Sequence, residues 1–188
     1  MAYIGLAKPT VAKLSESGGT PTYSGGFACG KAIEMSITPT YAEGSLYADN
    51  IKAEYDKEFS YAEITLNTST IPMEAHDVMF GHTVNEEEGE IKEKAGDEAN
   101  YIGLGIYASE KIDGVKKYVA MWIYKAKFTE SEESYTTKGD SIEYQTPSIT
   151  GQAVALETGE WRDRKICDTE QEAITWIEEK AGISEIGG

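Results

Sequence analysis

Apolar and polar residues alternate with a period of two along much of the chain. In Lys31–Thr38, Ile33, Met35 and Ile37 alternate with Glu34, Ser36 and Thr38, as in a strand with one buried face. Phe59 and Tyr61 alternate likewise, and so do Ile64 and Leu66, but the parity switches between the pairs. A bulge near Ala62, or a strand buried on both faces, is expected there. Tyr101–Ser109 and Val115–Phe128 are rich in aromatic and β-branched residues and flank Ile112-Asp113-Gly114. Asp-Gly between such runs predicts a hairpin, because both turn positions tolerate positive φ. Ser141–Gln145, Ser148–Leu156 and Trp161–Cys167 give further short strands, with Thr158-Gly159 as the turn between the last two. Val11–Leu14 is a weaker candidate near the start.

Only two segments carry helical spacing. Pro72–Phe80 opens with proline, which suits a first helical position, and ends at Gly81. It places Ala75, Val78 and Met79 on one face. In Thr169–Ala181, Asp168 or Thr169 can cap, with Gln171 or Glu172 three residues on. Ala173, Ile174, Ile177 and Ala181 form its apolar stripe, and Gly182 suits the left-handed position beyond the last turn. The pattern predicts a mainly β protein, an antiparallel β-sandwich or barrel with one or two flanking α-helices. It reads as a single domain over 1–188, with an N-terminal arm at about 1–20 and long loops at about 40–57, 83–100 and 129–139.

Charge narrows the function classes. The chain holds 33 acidic against 17 basic residues in 188, a net charge of −16. Residues 83–100, 129–143 and 168–185 account for −14 of it, and solvated loops and a solvated helix face explain such runs. An acidic surface repels phosphate, which argues against sequence-independent binding to nucleic acid. No run approaches the ~20 apolar residues of a membrane span. Lys8, Pro9 and Lys13 interrupt the apolar stretch that a signal peptide needs. At this length a core forms without disulfides or metal.

Candidate chemistry is sparse. Cys29, Cys167, His76 and His82 are the whole stock of soft ligands and show neither CxxC nor HxxxH spacing. The cysteines are expected to be small buried or half-buried residues, and each histidine to take a capping or surface role around the end of the first helix. Gly25-Gly26-Phe27-Ala28-Cys29-Gly30-Lys31 has the skeleton of a phosphate loop. Ala32 stands where a magnesium-binding hydroxyl is required, and an alternating strand follows where a helix is needed. A flexible Gly/Ser turn is expected instead. Glu86–Glu88 and Glu130–Glu133 lie among few apolar residues that could desolvate them, which suits charged loops better than paired-acid hydrolysis. No G-x-S-x-G elbow occurs. No catalytic site, cofactor or metal is expected. Twelve tyrosines and three tryptophans suit an interface with protein or a sugar. Tyr41, Tyr47 and Tyr55 stand out within 40–57, a stretch broken by Gly44 and Asp49-Asn50.

Several segments, taken in order, resemble the major tail proteins, or tail tube proteins, of long flexible-tailed bacteriophages, especially those of Gram-positive hosts. The likeness spans about residues 4–183. It begins with Ile4-Gly5-Leu6, Lys8 and Ala12-Lys13-Leu14, and continues through Ala42–Asn50, Glu63-Ile64-Thr65-Leu66 and Gly81-His82. Tyr101–Gly105 and Gly114–Tyr118 follow. Thr137–Pro147 is the most specific stretch, and Gly159-Glu160-Trp161 with Glu172–Trp176 closes the pattern.

The resemblance implies a structural virion protein that forms stacked hexameric rings, assembled in the host cytoplasm and resident in the tail. Its partners would be copies of itself, the tape-measure protein, tail-terminator or tail-tip proteins, and DNA passing without specific binding. Each copy would give about four strands to an inner barrel. About 24 strands at ~4.8 Å spacing and ~40° tilt make a barrel about 48 Å across, with a bore of roughly 35–40 Å. Glu34 and Glu63 would face the lumen as rings of charge, with Ile33, Met35 and Ile37 toward the core. Tyr41, Leu46, Tyr47, Asp49, Asn50 and Tyr55 would belong to a loop that stacks ring on ring. A monomeric surface module that binds glycan or protein is the alternative, and an acid-pair hydrolase a distant third.

Overall fold

A computed structural model describes residues 3–48, 51–130, 137 and 146–183, with the backbone alone at 46–48 and 51–54. In chain order the strands are β1 (Tyr3–Ser17), β2 (Thr20–Ala28), β3 (Ala32–Ala48) and β4 (Ile51–Thr68). After helix α1 (Met73–Val78) come β5 (Thr83–Asn85), β6 (Glu90–Lys92), β7 (Ile102–Ile112) and β8 (Val115–Thr129). The chain ends with β9 (Ser148–Ala153), β10 (Arg162–Cys167) and helix α2 (Glu170–Lys180). The main sheet runs β2-β1-β7-β8-β9-β4-β3 with β10 also beside β8, while β5 and β6 pair as a small separate hairpin. The protein is mainly β, an antiparallel sandwich with two flanking helices.

Strand β8 makes the sandwich possible. It pairs with β7 along most of its length, while its other edge is shared by β10 at Tyr118–Ile123 and β9 at Ala126–Thr129. Between the pairs Leu104↔Ile123 and Ile102↔Ala126 the register slips, leaving one extra residue in β8. A bulge flips the side-chain parity and sharpens the local twist. Upstream of it, Ala120, Trp122 and Tyr124 face α2; downstream, Ala126 and Phe128 join Ile123 in the core between the sheets. One strand thereby leaves one layer and enters the other.

Two apolar layers result. Val11, Ile64, Leu66, Ile102, Leu104, Phe128 and Ile149 fill the space between the sheets, with Ala75, Met79 and Phe80 of the α1 segment closing one end. Ala12, Trp122, Cys167, Ala173 and Ile177 fill the layer under α2. Both cysteines are buried and free, one in each layer. Burial pushes the Cys29 thiol up to about 11. The capping choice at α2 resolves to Thr169 with Glu172, which form a reciprocal capping box. The Asp113-Gly114 turn has φ of 50° and 85°, the two-residue hairpin that the sequence predicts.

Several expectations are corrected. The expected N-terminal arm at 1–20 is not one over its described residues: β1 lies inside the sheet, between β2 and β7. The expected loop at 40–57 is strand over its described residues: β3 and β4 remain paired as far as Ala48↔Ile51. The 83–100 segment contains the β5–β6 hairpin. The Gly25-Gly26 stretch belongs to β2 rather than to a turn. A side chain at Gly26 would meet Ile183 Cγ1 at 2.6 Å and the Ala181 carbonyl at 2.8 Å, so glycine here admits the end of α2. The bulge in β4 falls at Ser60, since Thr40 pairs with Tyr61 and Tyr41 with Phe59. The Ser141–Gln145 strand and most of the 129–139 loop lie outside the described residues.

Candidate assembly surface

In an antiparallel sheet, residues directly opposite each other share a face. Glu34, Ser36 and Thr38 of β3 lie opposite Asn67, Thr65 and Glu63 of β4, which lie opposite Ser148, Thr150 and Gln152 of β9. Thr150 and Gln152 lie opposite Thr129 and Lys127 of β8. Four neighbouring strands therefore present one continuous face of hydroxyls, amides, two carboxylates and one ammonium. Their other face carries Met35, Ile37, Ile64, Leu66, Ile149, Ala126 and Phe128, all packed into the core.

The predicted residues Glu34 and Glu63 both lie on this polar face, and both are exposed. The Asn67 amide donates to Glu34 Oε2 at 3.4 Å. Met35 and Ile37 pack against the core as expected. Ile33 does not. The register skips it between Ala32↔Thr68 and Glu34↔Asn67, and this bulge leaves it 52% exposed.

Beyond the polar face, β3 and β4 continue as a two-stranded arm. Tyr41, Glu43 and Ser45 lie opposite Phe59, Lys57 and Tyr55. Lys57 is paired with Glu43 at 2.9 Å and lies 4.6 Å from the centroid of the Tyr41 ring. The Tyr55 hydroxyl also hydrogen-bonds Glu43, and that carboxylate raises both the Tyr55 phenol and the Lys57 ammonium above their ordinary values. At the root, Tyr41 meets Phe59 edge-on at 6.1 Å. Phe59 stacks on Trp161 at 4.5 Å, and the Arg162 guanidinium covers Trp161 at 4.2 Å. This aromatic ladder anchors the arm on the segment leading into β10. The candidate residues Tyr41 and Tyr55 thus sit on one face of the arm. Leu46 and Tyr47 occupy its outer end with backbone alone described, and Asp49 and Asn50 lie outside the described residues.

Among the described residues no strand pairs with the outer edge of β2 or of β3. Beside β3 runs a half-open groove of about 440 Å³, where Ile33, Met35 and Ile37 face Leu6, Ile106 and Val119. Its charged groups are Glu34, Arg162 and Arg164, which do not form a nucleophile–base pair. Among the described residues no helix is long and apolar enough to cross a membrane.

The sequence matches no protein-family model and no curated protein.

The glutamates were legible in the period-two pattern, but the completeness of the polar face was not. Its β8 and β9 members depend on the bulge in β8 and on cross-strand register, which no local pattern encodes. The expectation for His82 also changes. It is buried, not a surface cap, and is held between Asp97 and Glu130 at 2.9 and 2.8 Å.

Proposed function

We propose that this protein is a self-assembling structural subunit whose copies join sheet edge to sheet edge into rings stacked as a hollow tube, the tail tube of a phage or a phage-derived particle. The observation that carries this reading is the four-strand polar face, backed by core, in a sheet whose outer strands β2 and β3 each have one edge without a partner among the described residues. Open strand edges are aggregation templates, and ring closure removes that liability. A bore lined by hydroxyls and amides, with carboxylates outnumbering ammonium groups, offers phosphates little to adsorb to, so DNA slides through it. The β3–β4 arm extends beyond the polar face and supplies the contact between rings. In this reading the partners are further copies of the chain, the tape-measure protein and the proteins that cap the tail.

Electron microscopy of concentrated purified protein tests this proposal. Rings or tubes of constant bore are expected. Single particles at every concentration, together with measurable affinity for a glycan, would favour the surface-module reading instead.

A further inference from the structure

The geometry points to a divalent transition-metal site, with Zn²⁺ as the fitting ion, held by His76, His82, Glu93 and Glu130. One ligand atom from each of these side chains lies within 4.8 Å of the others. They come from α1, from the residue just before β5, from the acidic segment after β6 and from the residue just after β8. Two imidazoles and two carboxylates form a donor set suited to zinc, which takes four N or O ligands in a tetrahedron and has no geometric preference of its own. With bonds of about 2.0–2.2 Å, tetrahedral donors stand about 3.4 Å apart. Glu93 and Glu130 are exposed, so rotation of their side chains closes the remaining gap without moving backbone.

Two further observations separate this cluster from a mere gathering of acids. The first is His76 Nδ1, which is buried without a hydrogen-bond partner. It stands 3.8 Å from Glu130 Oε1, too far to bond and near enough to share an ion. The second is the support behind His82. Its Nδ1 is 2.9 Å from Asp97 Oδ2, and that carboxylate oxygen also accepts the Lys94 backbone N–H at 2.8 Å. Metal-ligating histidines characteristically give their second nitrogen to a carboxylate, which fixes tautomer and ring orientation. With Nδ1–H donating to Asp97, Nε2 lies 2.8 Å from Glu130 Oε1, where a bound ion would take the place of the proton now shared between them. Asp97 is thus a positioning residue. The bound ion would tie α1 and the acidic segment to the end of β8, and it would neutralise carboxylates that otherwise repel one another.

This inference does not rest on tube formation, because the site lies within one chain. The test is titration of the metal-stripped full-length protein with Zn²⁺ alone, followed by calorimetry and thermal melting. Co²⁺ provides a spectroscopic substitute. One Zn²⁺ per chain, a raised melting midpoint and a tetrahedral Co²⁺ spectrum are expected. His82 is buried, so the diagnostic variants are the near-isosteric His76→Gln, at a half-buried position, and Glu93→Gln, at an exposed one. Each should weaken Zn²⁺ binding at least tenfold and abolish the tetrahedral spectrum while leaving the metal-free melting midpoint near that of wild type. Asp97→Ala should weaken binding about 10–100-fold with the four ligands retained. Absence of Zn²⁺ binding, an equal response to Mg²⁺, or full affinity in both ligand variants would overturn the site.

Discussion

Gly105 stands directly opposite Trp122 across the β7–β8 ladder, and the indole occupies the space a side chain would take. A Cβ at Gly105 would lie 2.8 Å from Trp122 Cε3 and 2.5 Å from Ile177 Cγ2. Glycine here lets α2 settle onto the sheet. Gly105→Ala should therefore destabilise the monomer by about 2 kcal/mol, as overpacking does. Gly44 has open space around it and no positive φ, so Gly44→Ala should stay within about 0.5 kcal/mol of wild type. Urea denaturation of the two variants checks the contrast.

The far end of α2 is held electrostatically. Lys180 donates to Asp163 at 2.8 Å and to the Tyr124 hydroxyl at 3.0 Å, and that hydroxyl donates to Asp163 at 2.5 Å. Burial pushes the Asp163 carboxyl up, but the bonds from Lys180 and Tyr124 outweigh it and hold the carboxyl below its ordinary range. A depressed carboxyl contributes stability above its unfolded value of about 3.9, and that contribution is lost as pH falls through the folded value. The Asp163 side chain is 43% exposed, so its screened contribution is about 1 kcal/mol. Asp163→Asn should lose about this much at pH 7, and the difference from wild type should shrink below about pH 3.9. Melting curves across that range measure it.

The arm can be removed without touching the core. The described residues 44–48 and 51–52 lie beyond the aromatic ladder of Tyr41, Phe59 and Trp161, and the polar face begins on the other side of it. Deleting Gly44–Lys52 should leave a folded protein with near-wild-type melting that no longer polymerises. Light scattering checks this, and undiminished polymerisation would remove the arm from the ring contact.

The polar face carries Glu34 and Glu63 against Lys127. Reversing both glutamates to lysine would turn it into a basic surface, and cationic surfaces bind DNA with steep salt dependence. Assembled Glu34→Lys/Glu63→Lys protein should retain duplex DNA at low salt and release it as salt rises. Wild-type assemblies should retain none, as gel filtration with labelled DNA would report.

Where one strand face packs against core, the sequence announced the element. Met35 and Ile37, the Asp113-Gly114 turn and the Thr169–Glu172 capping box were all readable, because local chemistry and tertiary role agree there. The arm at 40–57 was not readable, since a solvated ribbon lacks the apolar alternation that marks a half-buried strand. Gly25 and Gly26 looked like a turn because the reason for glycine, the approach of Ile183 and Ala181, lies at the other end of the chain. Ile33 fits the alternation perfectly and still escapes the core, since a bulge is fixed by pairing rather than by local pattern. The histidine cluster was hidden for a related reason: its four ligands come from four segments joined only by folding.

A cryo-electron microscopy reconstruction of the assembled protein bears most directly on the proposed tube. Expected is a six-fold ring in which β3, β4, β9 and the end of β8 form the inner wall, with Glu34 and Glu63 facing a bore of roughly 35–40 Å. An assembly without a bore, or one that places Glu34 and Glu63 on its outer surface, would contradict it.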